Sequence, residues 1–333
     1  MSPHPLAQLP RLLPGVALAA LLGGAAWWVA ERGLPQWGLS ALTVAIVLGM
    51  LLGNLAHARL PTTLVPGIHA AQRTLLRAGV VLYGLRLSFQ DVAAIGPSGL
   101  MVDVVIVGGT LLLGVAAGQR LFRLDRHTAL LTAAGSAICG AAAVLAVERI
   151  LRADPAKVAV AVASVVLFGT LDIFLYPALF PYLGLDRAAF GLFTGATVHE
   201  VAQVVAVGSA IAPEVADSAV VVKLTRVLLL VPVLFLLSWR EARAGGERVM
   251  VVPWFALGFL AVVAFNSVLA LPPAWRGALL WLDTLLLATA MAALGIDTRI
   301  ARLRALGPRP LLLALFLFGW LFAAGYLLVR WVA

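Results

Sequence analysis

The chain has 333 residues, 62% of them hydrophobic and only 12% charged, with a mean hydropathy of +1.04. Soluble domains carry about a quarter charged residues, so a soluble globule is excluded and a polytopic membrane protein is indicated. The net charge of +9 does not describe a nucleic-acid surface, because Arg and Lys fall in short loops with no aromatics interleaved.

Apolar runs of about 20 residues can each span a bilayer. They are expected at 12–30, 39–55, 68–86, 98–119, 128–147, 157–179, 188–211, 216–238, 250–270, 277–296 and 310–332. The fold class is an all-α polytopic membrane protein with about 9–11 membrane segments. The whole chain, 1–333, is expected to form one transmembrane unit. Its first-half helices cover 12–119, a core covers 124–240, and helices over 250–332 repeat the 68–119 pattern. Arg11 precedes the first run, and Ala26–Ala30 is a poor signal-peptidase site, so 12–30 is expected to be a retained helix. Cys139 is the single cysteine and rules out an internal disulfide.

Two repeats stand out. Gly84-Leu85-Arg86-Leu87 is followed by Gly96-Pro97 and a long apolar helix; Gly295-Ile296-Asp297-Thr298 is followed at the same spacing by Gly307-Pro308 and another. Pro suits the first turn of the helix that follows. The second repeat begins twice with Leu-Asp-Arg, at 124–126 and at 185–187. Each copy runs apolar, breaks at Gly135 or Gly195 among small polar residues, and resumes as an apolar helix. Paired interrupted segments in inverted repeats mark the binding site of secondary transporters.

Charge sets the expected topology. Arg120, Arg123 and Arg126; Arg149, Arg152 and Lys157; Arg240, Arg243 and Arg248; and Arg299, Arg302, Arg304 and Arg309 are positive-inside clusters. The clusters flanking 128–147 fall on one side only if that segment is re-entrant. The segment 188–211 then enters from the other side, leaving Glu214 and Asp217 outside. The alternative is two unwound but fully crossing helices, and either is tolerable only where the broken backbone is buried or lines a wet cavity.

The breaks carry the candidate chemistry. Ser136 and Thr197 are placed to N-cap the resuming half-helices, whose free N–H groups would form an anion site; the bland alternative is small-residue helix packing. His199, Glu200 and Gln203 are the densest polar cluster in an apolar stretch, and intramembrane ionisable groups are functional candidates by default. Glu200 and His199 are the proton-coupling candidates, the alternative being a polar brace. His199-Glu200-Val201-Ala202-Gln203 lacks the second His of a zinc motif, so no metal and no cofactor are expected. Lys223 and Arg226 share a helix face within a span and suit an anion, unless they pair with Asp172 or Asp283. Arg86 is expected to snorkel at a helix end. Asp103, Asp172, Asp283 and Asn266 are lone polar residues that spacing does not rank.

At these residues the chain resembles the YeiH-type sulfate exporter family of bacterial inner-membrane proteins. The matching segments are GLRLSFQDV (84–92), GSAICGAAA (135–143), TGATVHEVAQVVAVG (194–208), VVKLTRVLLLVPV (221–233) and MAALGIDT (291–298). The resemblance implies a multi-pass inner-membrane transporter with inverted repeats and broken helices, exporting sulfate or a related sulfur oxyanion. One departure is that the second Gly-Pro copy leaves a single helix after it, so either the second repeat is permuted or the copies pair differently.

The expected function is secondary transport of a small anion, a sulfate-like oxyanion or organosulfonate, without enzymatic turnover. The expected substrate-binding residues are Gly135, Ser136, Cys139, Gly195, Thr197, His199, Gln203, Lys223 and Arg226. The partners are the anion, a coupling proton or sodium ion and the lipid bilayer, with no nucleic acid and with a homodimer left open. The alternatives are a passive anion channel, which two broken segments could also line, and an intramembrane enzyme using His199 and Glu200.

Overall fold

The computed structural model describes residues 5–32, 40–56, 60–243, 253–269, 271–299 and 307–332. Arg248, Arg302 and Arg304 of the basic clusters lie outside the described residues. Among the described residues all regular structure is helical. The helices are α1 (Pro5–Arg32), α2 (Ala41–Leu55), α3 (Val65–Ala70), α4 (Leu76–Tyr83), α5 (Phe89–Ala94), α6 (Gly96–Arg120), α7 (Arg126–Ala137), α8 (Ala141–Leu151), α9 (Pro155–Leu183), α10 (Arg187–Thr197), α11 (Val201–Ser209), α12 (Pro213–Leu228), α13 (Leu230–Arg243), α14 (Trp254–Val268), α15 (Pro273–Asp297) and α16 (Pro308–Val332). Among the described residues, six stretches are long and apolar enough to cross a membrane: Pro10–Arg32, Gly96–Arg120, Pro155–Leu183, Pro213–Arg243, Pro273–Asp297 and Pro308–Val332. α2 and α14 are shorter apolar helices. The segment expected at 68–86 is not one helix but α3, a π stretch Ala71–Leu75, α4 and a 3-10 turn Gly84–Arg86.

The chain forms two compact units, Met1–Phe89 with Leu257–Ile300, and Gln90–Ala256 with Ala301–Ala333. Both Gly…Gly-Pro connectors are places where the chain leaves the first unit for the second. The glycine before each proline takes the left-handed conformation, φ +64 at Gly96 and +75 at Gly307, which starts a new helix sharply.

In the first unit α2 and α15 approach until Gly49 meets the backbone of Ala292 and Gly295, the small-residue contact that brings membrane helices together. Arg86 does not snorkel. Its Nε and Nη2 reach Asp283 Oδ2 at 2.9 and 2.7 Å, and Asp283 is fully buried. A buried carboxylate needs such a partner, which also removes Asp283 as the partner of Lys223 or Arg226.

The second unit contains both broken segments. The Leu-Asp-Arg repeat is a helix start: Asp125 Oδ1 accepts from the His127 and Thr128 amides, and Asp186 Oδ1 from the Ala189 amide. From its cap α7 runs in, breaks at Ile138–Gly140 and returns as α8, because Gly135 packs beneath Val144 of the returning arm. Lys157, at the start of α9, lies 2.8 Å from Asp125 at the start of α7, so both ends of this segment share one face. Arg187 and Glu214 pair at 2.6 Å across the ends of α10–α11 in the same manner. Both broken segments are therefore re-entrant hairpins. Between their mouths runs α9, 29 residues or about 43 Å at 1.5 Å per residue, long enough to cross the bilayer. The hairpins thus enter from opposite faces. Arg126 pairs with Glu241 at 2.6 Å, so α12–α13 also runs from the second mouth to the first.

Of the basic residues described, the first mouth carries Arg120, Arg123, Arg126, Arg149, Arg152, Lys157, Arg240 and Arg243, and the second carries Arg187 and Arg330. By the positive-inside rule the first mouth is cytoplasmic. α6 packs on α7 and ends at the first mouth, whereas α16 packs on α10 and ends at the second, where Tyr326 donates to Leu183 O and Arg330 to Gly184 O. The inverted repeats are thus α6, hairpin one and α9 against α16, hairpin two and α12, so the second repeat is permuted.

Candidate functional site

The site is the meeting point of the two hairpin tips, Ile138-Cys139-Gly140 and Val198-His199-Glu200. Ser136 and Thr197 do not cap the returning helices. Both lie in the last turn of the entering arms, and the N-caps are Gly140 (φ +66) and Glu200. A left-handed glycine and an extended stretch, rather than a serine or threonine cap, make the two breaks.

α12 passes both tips and supplies their cations. Arg226 donates from Nε to Ala137 O and from Nη2 to Ser136 O, both at 2.5 Å, and from Nη1 to Ala196 O at 2.6 Å and Val198 O at 3.4 Å. Lys223 Nζ donates to Ile138 O at 2.7 Å and Val198 O at 2.5 Å. Both side chains are fully buried. They take up the orphan carbonyls at the C-terminal ends of α7 and α10, where the helix dipole favours a cation. Both cations bridge the two ends, but the guanidinium fork does so through four bonds and the Lys223 ammonium through two. Lysine has three donors and arginine five. Two bonds from Lys223 and four from Arg226 therefore leave one N–H of each uncommitted among the described residues.

Glu200 crosses between the hairpins: its Oε1 accepts from the Ala141 amide, the first of α8, at 3.1 Å. Gln203 Oε1 accepts from the Glu200 amide at 3.0 Å, so Gln203 holds the second tip. Gly169 of α9 makes room for the Gln203 side chain, since a Cβ there would run into it. His199 Nδ1 lies 3.1 Å from Asp172 Oδ2. The Tyr176 hydroxyl donates to Thr197 Oγ1 at 3.0 Å, and its ring stacks on Phe193 at 4.9 Å. Gly135 and Gly195 are close-packing positions beside the tips, against Val144 and Val222. Cys139 is a buried free thiol in the first tip.

Several buried polar atoms of this unit have no hydrogen-bond partner among the described residues: both carboxyl oxygens of Asp103, Asp172 Oδ1, Gln203 Nε2 and the hydroxyls of Thr132, Ser136, Thr170 and Thr194. Buried polar groups are nearly always paired with protein, water or ligand. Of these, Ser136, Thr194 and Gln203 lie in the end turns of the arms, Thr132 lies within α7, Asp103 is on α6, and Thr170 and Asp172 are on α9.

The sequence model of the family described as conserved hypothetical protein 698 matches residues 14–314. The chain belongs to that family, UPF0324. It is 48% identical to UPF0324 membrane protein PA5383 of Pseudomonas aeruginosa over 98% of this chain and 96% of that one. It is 46% identical to UPF0324 inner membrane protein YeiH of Escherichia coli K12, over 95% and 93%. With a UPF0324 membrane protein of Bordetella pertussis the identity is 49%, over 96% and 94%. No solved structure matches the chain. As a UPF0324 member with six apolar spanning helices, the protein is a multi-pass inner-membrane protein.

Of the sequence candidates, Lys223, Arg226, His199, Glu200, Gln203, Thr197, Ser136 and Cys139 all come together at the UPF0324 hairpin tips. Spacing does not rank Asp172 and Asp103. Their only sequence signal is the rule that an acid inside a span is functional by default.

Proposed function

We propose that the protein is a secondary transporter of a small anion, a sulfate-like oxyanion or organosulfonate, coupled to a proton. The observation that carries this is the meeting of two oppositely inserted hairpins whose ends are bridged by buried Lys223 and Arg226. Irregular backbone at membrane depth is tolerated where it is enclosed by protein or lines a cavity, and in transporters it holds the substrate. The anion is favoured by two features of the tips: the N-terminal ends of α8 and α11 that meet there, and the one N–H on each of the two cations that is uncommitted among the described residues. The resemblance to sulfate exporters supplies the oxyanion class.

Coupling follows from the charge balance. Two cations face three buried carboxyls, Asp103, Asp172 and Glu200. With all three ionised the site repels an added anion; protonation of the carboxyls admits it. Glu200 is the group that takes the coupling proton, and the Asp172–His199 pair stands beside it in the second tip. Substrate sits at the tips, and movement of the hairpin-bearing helices exposes it to each face in turn.

The test is flux in proteoliposomes carrying an internal pH dye, with labelled sulfate and sulfite as substrates. Expected is saturable uptake that follows an imposed pH gradient. Large ohmic currents without saturation identify a channel instead, and the absence of flux for every oxyanion and organosulfonate overturns the anion assignment.

A further inference from the structure

Among the buried carboxyls of the tips, Glu200 is held by the backbone of the other hairpin. It N-caps α11 in its own hairpin, yet its Oε1 sits on the Ala141 amide that opens α8 in the first. An amide-lined helix start is what an oxyanion binds, and here a carboxylate of the protein already fills it. The fit is close. Gly140 adopts φ +66, and a Cβ there would overlap Glu200 Cγ and meet Oε1 at 2.7 Å. Lys223, bound to Ile138 O in the same tip at 2.7 Å, is the nearby cation. The Ser136 hydroxyl, in the last turn of the arm that leads to this tip, is fully buried and makes no hydrogen bond among the described residues. It is a donor without an acceptor.

We propose that Glu200 is a tethered stand-in for the transported oxyanion. An oxyanion takes the α8 N-terminus only when Glu200 vacates it, and Glu200 vacates it by taking up one proton. This rests on the oxyanion assignment above. The exchange is balanced. One proton from solution joins a Glu200 oxygen, the Ala141 N–H passes from that carboxylate to the oxyanion, and no covalent bond changes between heavy atoms. A neutral carboxylic acid is a weaker acceptor for a helix end than a carboxylate, so protonation releases the clasp between the hairpins at the moment the substrate replaces it. Lys223 of α12 and Cys139 of the first tip interact electrostatically with Glu200. Arg226 of α12, Asp172 of α9, Asp103 of α6 and His199 of its own tip are the other charged or titratable groups of the site.

Sulfate and sulfite binding to the purified full chain in detergent, measured calorimetrically in buffers of different ionisation enthalpy, tests this directly. For the wild type, each bound oxyanion should bring about one proton, and the affinity should fall about tenfold per pH unit on the alkaline limb. Glu200→Gln keeps an acceptor for the Ala141 amide but cannot titrate. It should bind with no linked proton and a flat pH profile. Glu200→Asp, too short to reach Ala141, should bind more tightly than wild type at high pH. Oxyanion binding without proton uptake by the wild type, or unchanged uptake in Glu200→Gln, overturns the proposal and leaves the oxyanion assignment standing. No oxyanion binding by the wild type at any pH overturns both. Should Glu200→Gln fail to fold, the wild-type proton count and the Glu200→Asp comparison still decide.

Discussion

Lys157 Nζ lies 2.8 Å from Asp125 Oδ1, and this contact joins the two ends of the first broken segment. A segment whose ends touch cannot cross the bilayer. The Arg187–Glu214 pair at 2.6 Å does the same for the second, on the opposite face. Single cysteines placed in a Cys139→Ala background test this. Arg123→Cys and Ala156→Cys should react with a membrane-impermeant maleimide only from the cytoplasmic side, and Ala188→Cys and Glu214→Cys only from the other. Labelling of the 123 and 156 positions from opposite sides would show a crossing helix and sink the hairpin assignment.

The repeat and the two breaks were legible because each leaves a local mark: Leu-Asp-Arg is a cap with its first-turn residue and glycine marks close packing, whereas arginine placement alone left re-entrant and crossing segments both open. Position within the breaks was not legible. Ser136 and Thr197 have the residue types of N-caps, but the turns are made further along the chain, by positive φ at Gly140 and by extended backbone at Glu200, and the latter has no residue-type signal. Nor were the partners of the buried charges. Arg226 reaches Ser136 and Ala196 in the two different hairpins, and Arg86 reaches Asp283 across 197 positions of sequence. Backbone carbonyls, the actual partners of Lys223 and Arg226, are present at every residue and so give no sequence signal.

Asp125 gives the pH dependence at the first mouth. Partial burial alone would raise its pKa, but hydrogen bonds from Lys157 and Thr128 outweigh that and hold it at about 2, below the ordinary 3.8. A depressed carboxyl contributes stability that is complete above its unfolded pKa and lost as pH falls through the folded one. Asp125→Asn keeps the cap and removes the charge. Its melting temperature should lie below wild type by a constant amount above about pH 4, and the two should converge as pH approaches 2. The side chain is 47% exposed, so the difference should be small and shrink with salt. A gap that persists at the acid end would assign the effect to something other than the carboxylate.

Gly169 is the notch that receives the Gln203 amide. Gly169→Ala should cost about 1–3 kcal/mol through overpacking. Gln203→Ala removes the obstruction but strands the buried Glu200 amide, at about 1–3 kcal/mol. The double variant should therefore melt well above the sum of the two losses, with a coupling of about 0.5–3 kcal/mol. Additive losses in detergent melts would mean that the two side chains do not share this space.

Arg226 is the residue on which both hairpins close. Its removal leaves the carbonyls of Ser136, Ala137 and Ala196 buried without a cation, and those helix ends face each other with like-signed dipoles. Breaking a buried charged network by deleting one partner costs about 3–5 kcal/mol, so Arg226→Leu should fold poorly or melt far below wild type. Arg226→Lys keeps the charge but not the fork. A single ammonium cannot reach Ala137 and Ser136 in one hairpin while holding Ala196 in the other, so recovery should be partial. Lys223→Met removes two bonds rather than four and should lie between them. An Arg226→Leu protein that melts within a degree or two of wild type would show that the hairpin ends are held by something other than this guanidinium, and the tips would lose their claim to be a rigid site.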